Sequence, residues 1–210
     1  MQVQMMNIQP FYYETLNEED KNIISNILYD AFDMKFGPLF KKFSVEDCIL
    51  IIKESLQQAT GLMYKEKADI LGVAVFTTKD HPAMLINSNL RKQLGWFTYY
   101  FYRKIFLSEN LVSDEIIKLD LIATRAKTRG KGVGSQLIKE MIEYAINTGY
   151  KKVTLEVVDT NPRAKLLYER LGFTTYKHHH TGILTRVFDF RGYDDMSLSI
   201  NEGSKRNRDI

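Results

Sequence analysis

The sequence predicts an α/β fold: a single domain with a mixed central sheet of about seven strands, flanked by helices on both faces. Two observations carry this. The hydrophobic period alternates between strand and helix spacing in the order β, two helices, β-hairpin, helix, then β-α-β-α-β-β, an order that builds layers of helix on sheet. The 210 residues suffice for one substantial core, and neither an internal repeat nor a low-complexity linker divides them.

Taken in order, residues 7–13 read as a first strand. Thr15 to Asp20 places a polar cap and then acids at a helix start, and Ile23, Ile24, Ile27, Leu28, Ala31 and Phe32 follow at helical spacing until Gly37-Pro38 stops them. Ser44 caps a second helix, with Asp47 three residues on, running to about Ala59. Thr60–Tyr64 and Ile70–Phe76 form a hairpin about Glu66-Lys67-Ala68-Asp69. Residues 86–107 are aromatic and helix-like. Glu115–Ala123 is a strand, Ser135–Asn147 an amphipathic helix ended by Gly149, and Val153–Val158 a strand. Pro162–Leu171 is a short helix stopped by Gly172; Phe173–Lys177 and Ile183–Phe190 close the sheet. The domain is expected to span residues 1–210, with the aromatic insert at 86–107 and a polar tail at 201–210.

Composition excludes several classes. Cys48 is the single cysteine, so an intrachain disulfide and a cysteine-based zinc site are excluded, and its apolar neighbours make it core filler. The net charge of +3 is too small to argue for nucleic acid, and no stacking-and-basic pattern runs along a strand. Residues 1–10 lack the charge and apolar run of a secretory signal, and Trp96–Leu107, interrupted by Arg103 and Lys104, is too short for a membrane span. A cytoplasmic location is expected. His178-His179-His180 reads as a turn between the closing strands rather than a metal tract, because adjacent strand residues face opposite ways. No metal is expected.

The chemistry concentrates in Thr124–Leu137, where Arg125, Lys127, Arg129 and Lys131 surround Gly130, Gly132 and Gly134 before a helix. A nucleotide P-loop needs lysine after its last glycine, and Ser135 stands there. A dinucleotide fingerprint needs a tight strand-to-glycine turn, and Arg125–Thr128 intervene. Arg129, Gly132 and Gly134 fit an R-x-x-G-x-G pyrophosphate cradle, in which glycines admit the anion to backbone N–H groups and the helix start adds its positive end. A glycine-rich turn with solvated lysines explains the turn alone equally well.

The surrounding motifs decide between them. Leu119–Thr124, Arg129–Gly134, Asn161–Ala164 and Leu167–Phe173 occur in this order over residues 119–173, and together they resemble the GNAT superfamily of acetyl-CoA-dependent N-acetyltransferases. The element order matches that family over roughly the whole chain. The Asp-Thr-Asn-Pro-Arg-Ala variant at 159–164 and the aromatic insert are similar to a bacterial branch without a settled substrate. The resemblance implies acetyl-CoA as cosubstrate. Ile122, Ala123 and Thr124 would offer backbone groups to its pantetheine arm. Arg129, Gly130, Lys131, Gly132, Val133, Gly134 and Ser135 would cradle the pyrophosphate. The chain departs from the family at 124–128, where Val-x-Pro-x-Tyr is common.

Asn161 is an N-cap by its own chemistry, with Pro162 as first helical residue, and the family also uses this asparagine near the cofactor arm. Tyr168 belongs to an ordinary core stripe with Ala164, Leu167 and Leu171; by resemblance it would protonate the leaving thiolate. Glu156 and Asp120 are the candidate bases, each also readable as a salt-bridged carboxylate. The resemblance implies acetyl transfer to a primary amine, of a small molecule or a protein N-terminus, by direct attack in a ternary complex; the alternative is a non-catalytic acyl-CoA-binding module. The aromatic insert reads as packed helix, acceptor wall or homodimer face.

Overall fold

The computed structural model describes residues 7–40, 43–85, 112–182, 185 and 190–200, with the backbone alone for 32–40. Strands β1 (Asn7–Tyr12), β2 (Thr60–Glu66), β3 (Asp69–Thr77), β4 (Ile116–Thr124), β5 (Lys152–Val158), β6 (Thr174–His180) and β7 (Gly192–Ser199) form one sheet, in the spatial order β1-β2-β3-β4-β5-β7-β6. Neighbours run antiparallel except β4 and β5, which are parallel. The helices among the described residues are α1 (Glu18–Phe40), α2 (Val45–Ser55), α3 (Val133–Thr148) and α4 (Pro162–Arg170).

Strand alternation sorts the core into two layers. Leu62, Ala74 and Phe76 pack with Leu137, Ile138 and Met141 of α3 and with Tyr168 of α4. Met63, Val73 and Val75 point the other way, onto Ile24, Ile27 and Leu28 of α1 and Ile52 of α2. Helices therefore cover both faces of a mixed seven-stranded sheet, as the sequence predicts. Caps sit where the residue types demand them: Asn17 accepts from the Asp20 N–H at 2.8 Å, Ser44 from Asp47 at 3.1 Å, and Gly149 ends α3 at φ 89°. No helix among the described residues is long and apolar enough to cross a membrane.

Two irregularities meet in β4. Val75 pairs with Leu121 but Phe76 with Leu119, which makes Asp120 the extra residue of a bulge. Pairing with β5 runs from Ile116–Lys152 to Leu119–Leu155 and stops. The parallel strands thus part at Asp120.

Several boundaries differ from expectation. α1 continues through Gly37-Pro38 to Phe40, since a proline in the last turn removes one backbone bond from a long helix. α2 ends at Ser55, four residues before Ala59; Leu56 caps it and the Ala59 N–H turns back to Leu56 O. His178–His180 are not a turn but the end of β6, paired with Asp194, Tyr193 and Gly192. Cross-strand partners account for this: His178 bonds Asp194 and His179 bonds Asp195, on opposite faces. The last strand is Gly192–Ser199 rather than Ile183–Phe190, most of which lies outside the described residues, as do the expected insert at 86–107 and tail at 201–210.

Candidate active site

The basic turn is tied to the sheet from beneath. The Arg125 N–H donates to Leu71 O at 2.9 Å, and the Thr128 hydroxyl reaches the same carbonyl at 3.3 Å and Arg125 O at 2.8 Å. Gly130 and Gly132 then take left-handed φ of 77° and 84°, which glycine adopts without strain. Gly134 has no such backbone need, and a Cβ built on it would meet no protein atom within 4 Å. Nothing inside the chain requires glycine there, and the space beside it is open. Gln136 is the first residue of α3 whose N–H reaches back along the helix, to Gly132 O at 3.0 Å, so the N–H groups of Val133, Gly134 and Ser135 have no intrahelical acceptor. Those donors, the helix dipole, and the exposed Arg129 and Lys131 suit a phosphate. Lys127 is turned aside to Asp69 at 3.2 Å.

Between the parted strands lies a cavity of about 210 Å³. Leu155 and Glu156 both line it. Consecutive strand residues face opposite ways, so the cavity passes through the plane of the sheet. Toward α3 and α4 it is bounded by Gly134, Ile138, Asn161, Leu167 and Tyr168; along β4 by Asp120, Ile122, Ala123 and Thr124. All three candidate catalytic residues, the three β4 residues, Gly134 and Asn161 therefore converge on one space. Arg129–Val133 and Ser135 belong to the turn and helix start beside it rather than to its lining.

Asn161 caps α4 by accepting from the Ala164 N–H at 3.2 Å and also lines the cavity. Tyr168 is 6% exposed and its ring lies 6.0 Å from that of Phe173. Its hydroxyl has no hydrogen-bond partner among the described residues, and burial pushes the phenol up to about 12. Tyr168 thus stays protonated at any working pH.

Asp120 and Glu156 differ in kind. Glu156 Oε1 lies 2.6 Å from Lys118 Nζ and is partly exposed. Asp120 accepts from the Thr77 hydroxyl at 2.6 Å, and that hydroxyl in turn accepts from the Ala83 N–H at 3.0 Å, which fixes its direction. Burial raises the Asp120 carboxyl above its ordinary range, opposed by Lys118, whose Nζ is 3.6 Å away, and by Thr77. Burial alone would lower Lys118, but Asp120 and Glu156 outweigh it and hold the ammonium raised. Thr77 and Lys118 are absent from the sequence-based site; Thr77 meets Asp120 and Lys118 meets Glu156 only through strand register, although Lys118 stands two residues before Asp120 on β4. Among the described residues no three His, Cys, Asp or Glu side chains are grouped to hold a metal ion.

The model of the acetyltransferase (GNAT) family matches residues 26–173, from within the first helix through the cradle and the Tyr168 helix. The chain belongs to this family. Among relatives, thialysine N-epsilon-acetyltransferase of Bos taurus is 33% identical over 79 residues, covering 38% of this chain and 43% of the bovine protein. The chain thus spans less than half the length of this relative. Solved GNAT structures share the fold at low identity. One is a GNAT family acetyltransferase from Elizabethkingia anophelis with acetyl-CoA bound (TM-score 0.54, 16% identity, 93% of this chain and 98% of that one). Another is the ribosomal-protein-S18-alanine N-acetyltransferase from Escherichia coli (TM-score 0.53, 15% identity, 97% and 98%).

Proposed function

We propose that this protein is an N-acetyltransferase that moves the acetyl group of acetyl-CoA onto a primary amine by direct attack in a ternary complex. The observation that carries this is the cavity through the parted strands, with an anion-suited helix start at one side and a half-buried carboxylate and a buried phenol within.

The turn Arg129–Ser135 holds the pyrophosphate with backbone N–H groups and positive charge, and Gly134 leaves room for it against α3. Ile122, Ala123 and Thr124, released from pairing with β5, offer backbone groups to the pantetheine arm. The thioester then lies between Tyr168 and Asp120. A primary amine arrives mostly as ammonium, and Asp120 takes its proton so that the nitrogen lone pair attacks the thioester carbonyl. As the tetrahedral intermediate collapses, the C–S bond breaks, Tyr168 donates its proton to the departing sulfur, and the nitrogen's second proton passes through solvent to restore the Tyr168 hydroxyl. The products are amide and free thiol. Glu156, paired with Lys118, flanks the amine's approach. The relatives' names place acetyl groups on thialysine and on alanine of a ribosomal protein, so small-molecule and protein acceptors both stand as candidates.

The test is release of CoA thiol from acetyl-CoA over a panel of primary amines and peptides with free N-termini. Amine-dependent release supports the reading. Tight acetyl-CoA binding with no release over the whole panel favours the acyl-CoA-binding module instead.

A further inference from the structure

On the sheet face that carries α1 and α2, one ammonium stands between two carboxylates. Lys118 Nζ is 2.6 Å from Glu156 Oε1 and 3.6 Å from Asp120 Oδ1. Thr77 on β3 completes the surroundings of Asp120. The α1 residues packed on this face are Ile24, Ile27 and Leu28, with Ile23, Tyr29 and Ala31 partly buried beside them. Beyond Glu156, directly across on β7, lies Asp195, which His179 of β6 engages at 2.7 Å.

We propose that Lys118 is a positioning residue that assigns separate roles to the two carboxylates, pairing Glu156 off and keeping Asp120 ionised as the base. This role rests on the acetyltransferase reading. The 2.6 Å charge-assisted bond engages Oε1 of Glu156. At 3.6 Å the same ammonium attracts Asp120 without occupying it, leaving the carboxylate to accept from the incoming ammonium. Desolvation raises the Asp120 carboxyl, and a cation within about 4–6 Å counters it. In the step this supports, an N–H bond of the acceptor ammonium breaks, its electron pair stays on nitrogen, an O–H bond forms on Asp120, and that proton later passes to water.

The arrangement makes a test of opposite signs. Removing Lys118 takes away the attraction, so Asp120 binds its proton more tightly. Removing the Glu156 charge takes away a repelling carboxylate and frees Lys118 for Asp120, so the proton is held less tightly. Carbon-13 NMR titration of labelled aspartate carboxyls, with the Asp120 signal assigned by its loss in Asp120→Asn, reads both. Lys118→Gln is expected to move the Asp120 midpoint up by about one pH unit or more, Glu156→Gln to move it down, and Lys118→Arg to leave it near wild type. The acidic limb of the acetyl-transfer pH profile should follow the same directions. If Lys118→Gln does not fold, Glu156→Gln and Lys118→Arg still carry the sign. Calorimetric binding of acetyl-CoA on the same wild-type sample separates the outcomes. Midpoints that stay put, or move together, in a protein that binds acetyl-CoA overturn the role of Lys118 alone. Opposed midpoints in a protein that does not bind acetyl-CoA overturn the acetyltransferase reading and the role with it.

Discussion

Leu119 and Leu155 are the last residues to pair across β4 and β5, and their next neighbours, Asp120 and Glu156, both line the cavity that opens there. The opening is made by sheet register and one bulge, so it belongs to the rigid core rather than to a loop.

Burial makes Asp120 a stability liability. Its folded-state proton affinity is raised, so at pH values above the ordinary aspartate range Asp120 opposes folding. Asp120→Asn keeps the size and an oxygen for Thr77. It is expected to raise the unfolding temperature at pH 7 while suppressing acetyl transfer. The sign fixes the pH window: the stability advantage shrinks as pH falls through the raised folded value and vanishes below the ordinary aspartate value of about 4, where both residues are neutral. Thermal melts from pH 3 to pH 8 check it.

Tyr168→Phe removes a hydroxyl without a partner among the described residues, so the fold loses no hydrogen bond. Melting temperature should be unchanged or slightly higher, while kcat falls by about 10²- to 10⁴-fold, the range for a positioned acid. Unchanged turnover would remove Tyr168 from the mechanism.

Two glycines separate fold from ligand. A Cβ on Gly61 would lie 2.2 Å from Ala74 O and 2.9 Å from the Phe11 ring, so Gly61→Ala should destabilise by about 1–3 kcal/mol. A Cβ on Gly134 meets nothing, so Gly134→Ala should melt like wild type. Its acetyl-CoA affinity should still fall by about tenfold or more, about 1.4 kcal/mol. Melts and calorimetry on the pair distinguish the two.

Asn161→Ala removes the α4 cap and should cost about 1 kcal/mol of stability; Asn161→Ser restores most of it.

What was legible in the sequence follows from range. Ser44, Gly149 and Asn161 announce helix ends because caps act within four residues, and the alternation of β2 and β3 announces their two faces. The convergence of Asp120, Glu156 and Tyr168 was legible only through family resemblance. Lys118, Thr77 and the bulge at Asp120 were not legible, because register between strands 38 to 43 residues apart in sequence makes those contacts. His178–His180 misled for the same reason. Three consecutive polar residues look like a turn until Asp194 and Asp195 lie opposite them.

The parted strands and the glycine turn are expected to hold acetyl-CoA. A thermal-shift titration with acetyl-CoA, with ATP and NADH as controls, tests it most directly. At about a hundred times its dissociation constant a specific ligand stabilises the fold by about 2.7 kcal/mol. A shift of that order with acetyl-CoA and little with ATP or NADH is the predicted result. No shift with acetyl-CoA, or an equal shift with all three, would contradict the account.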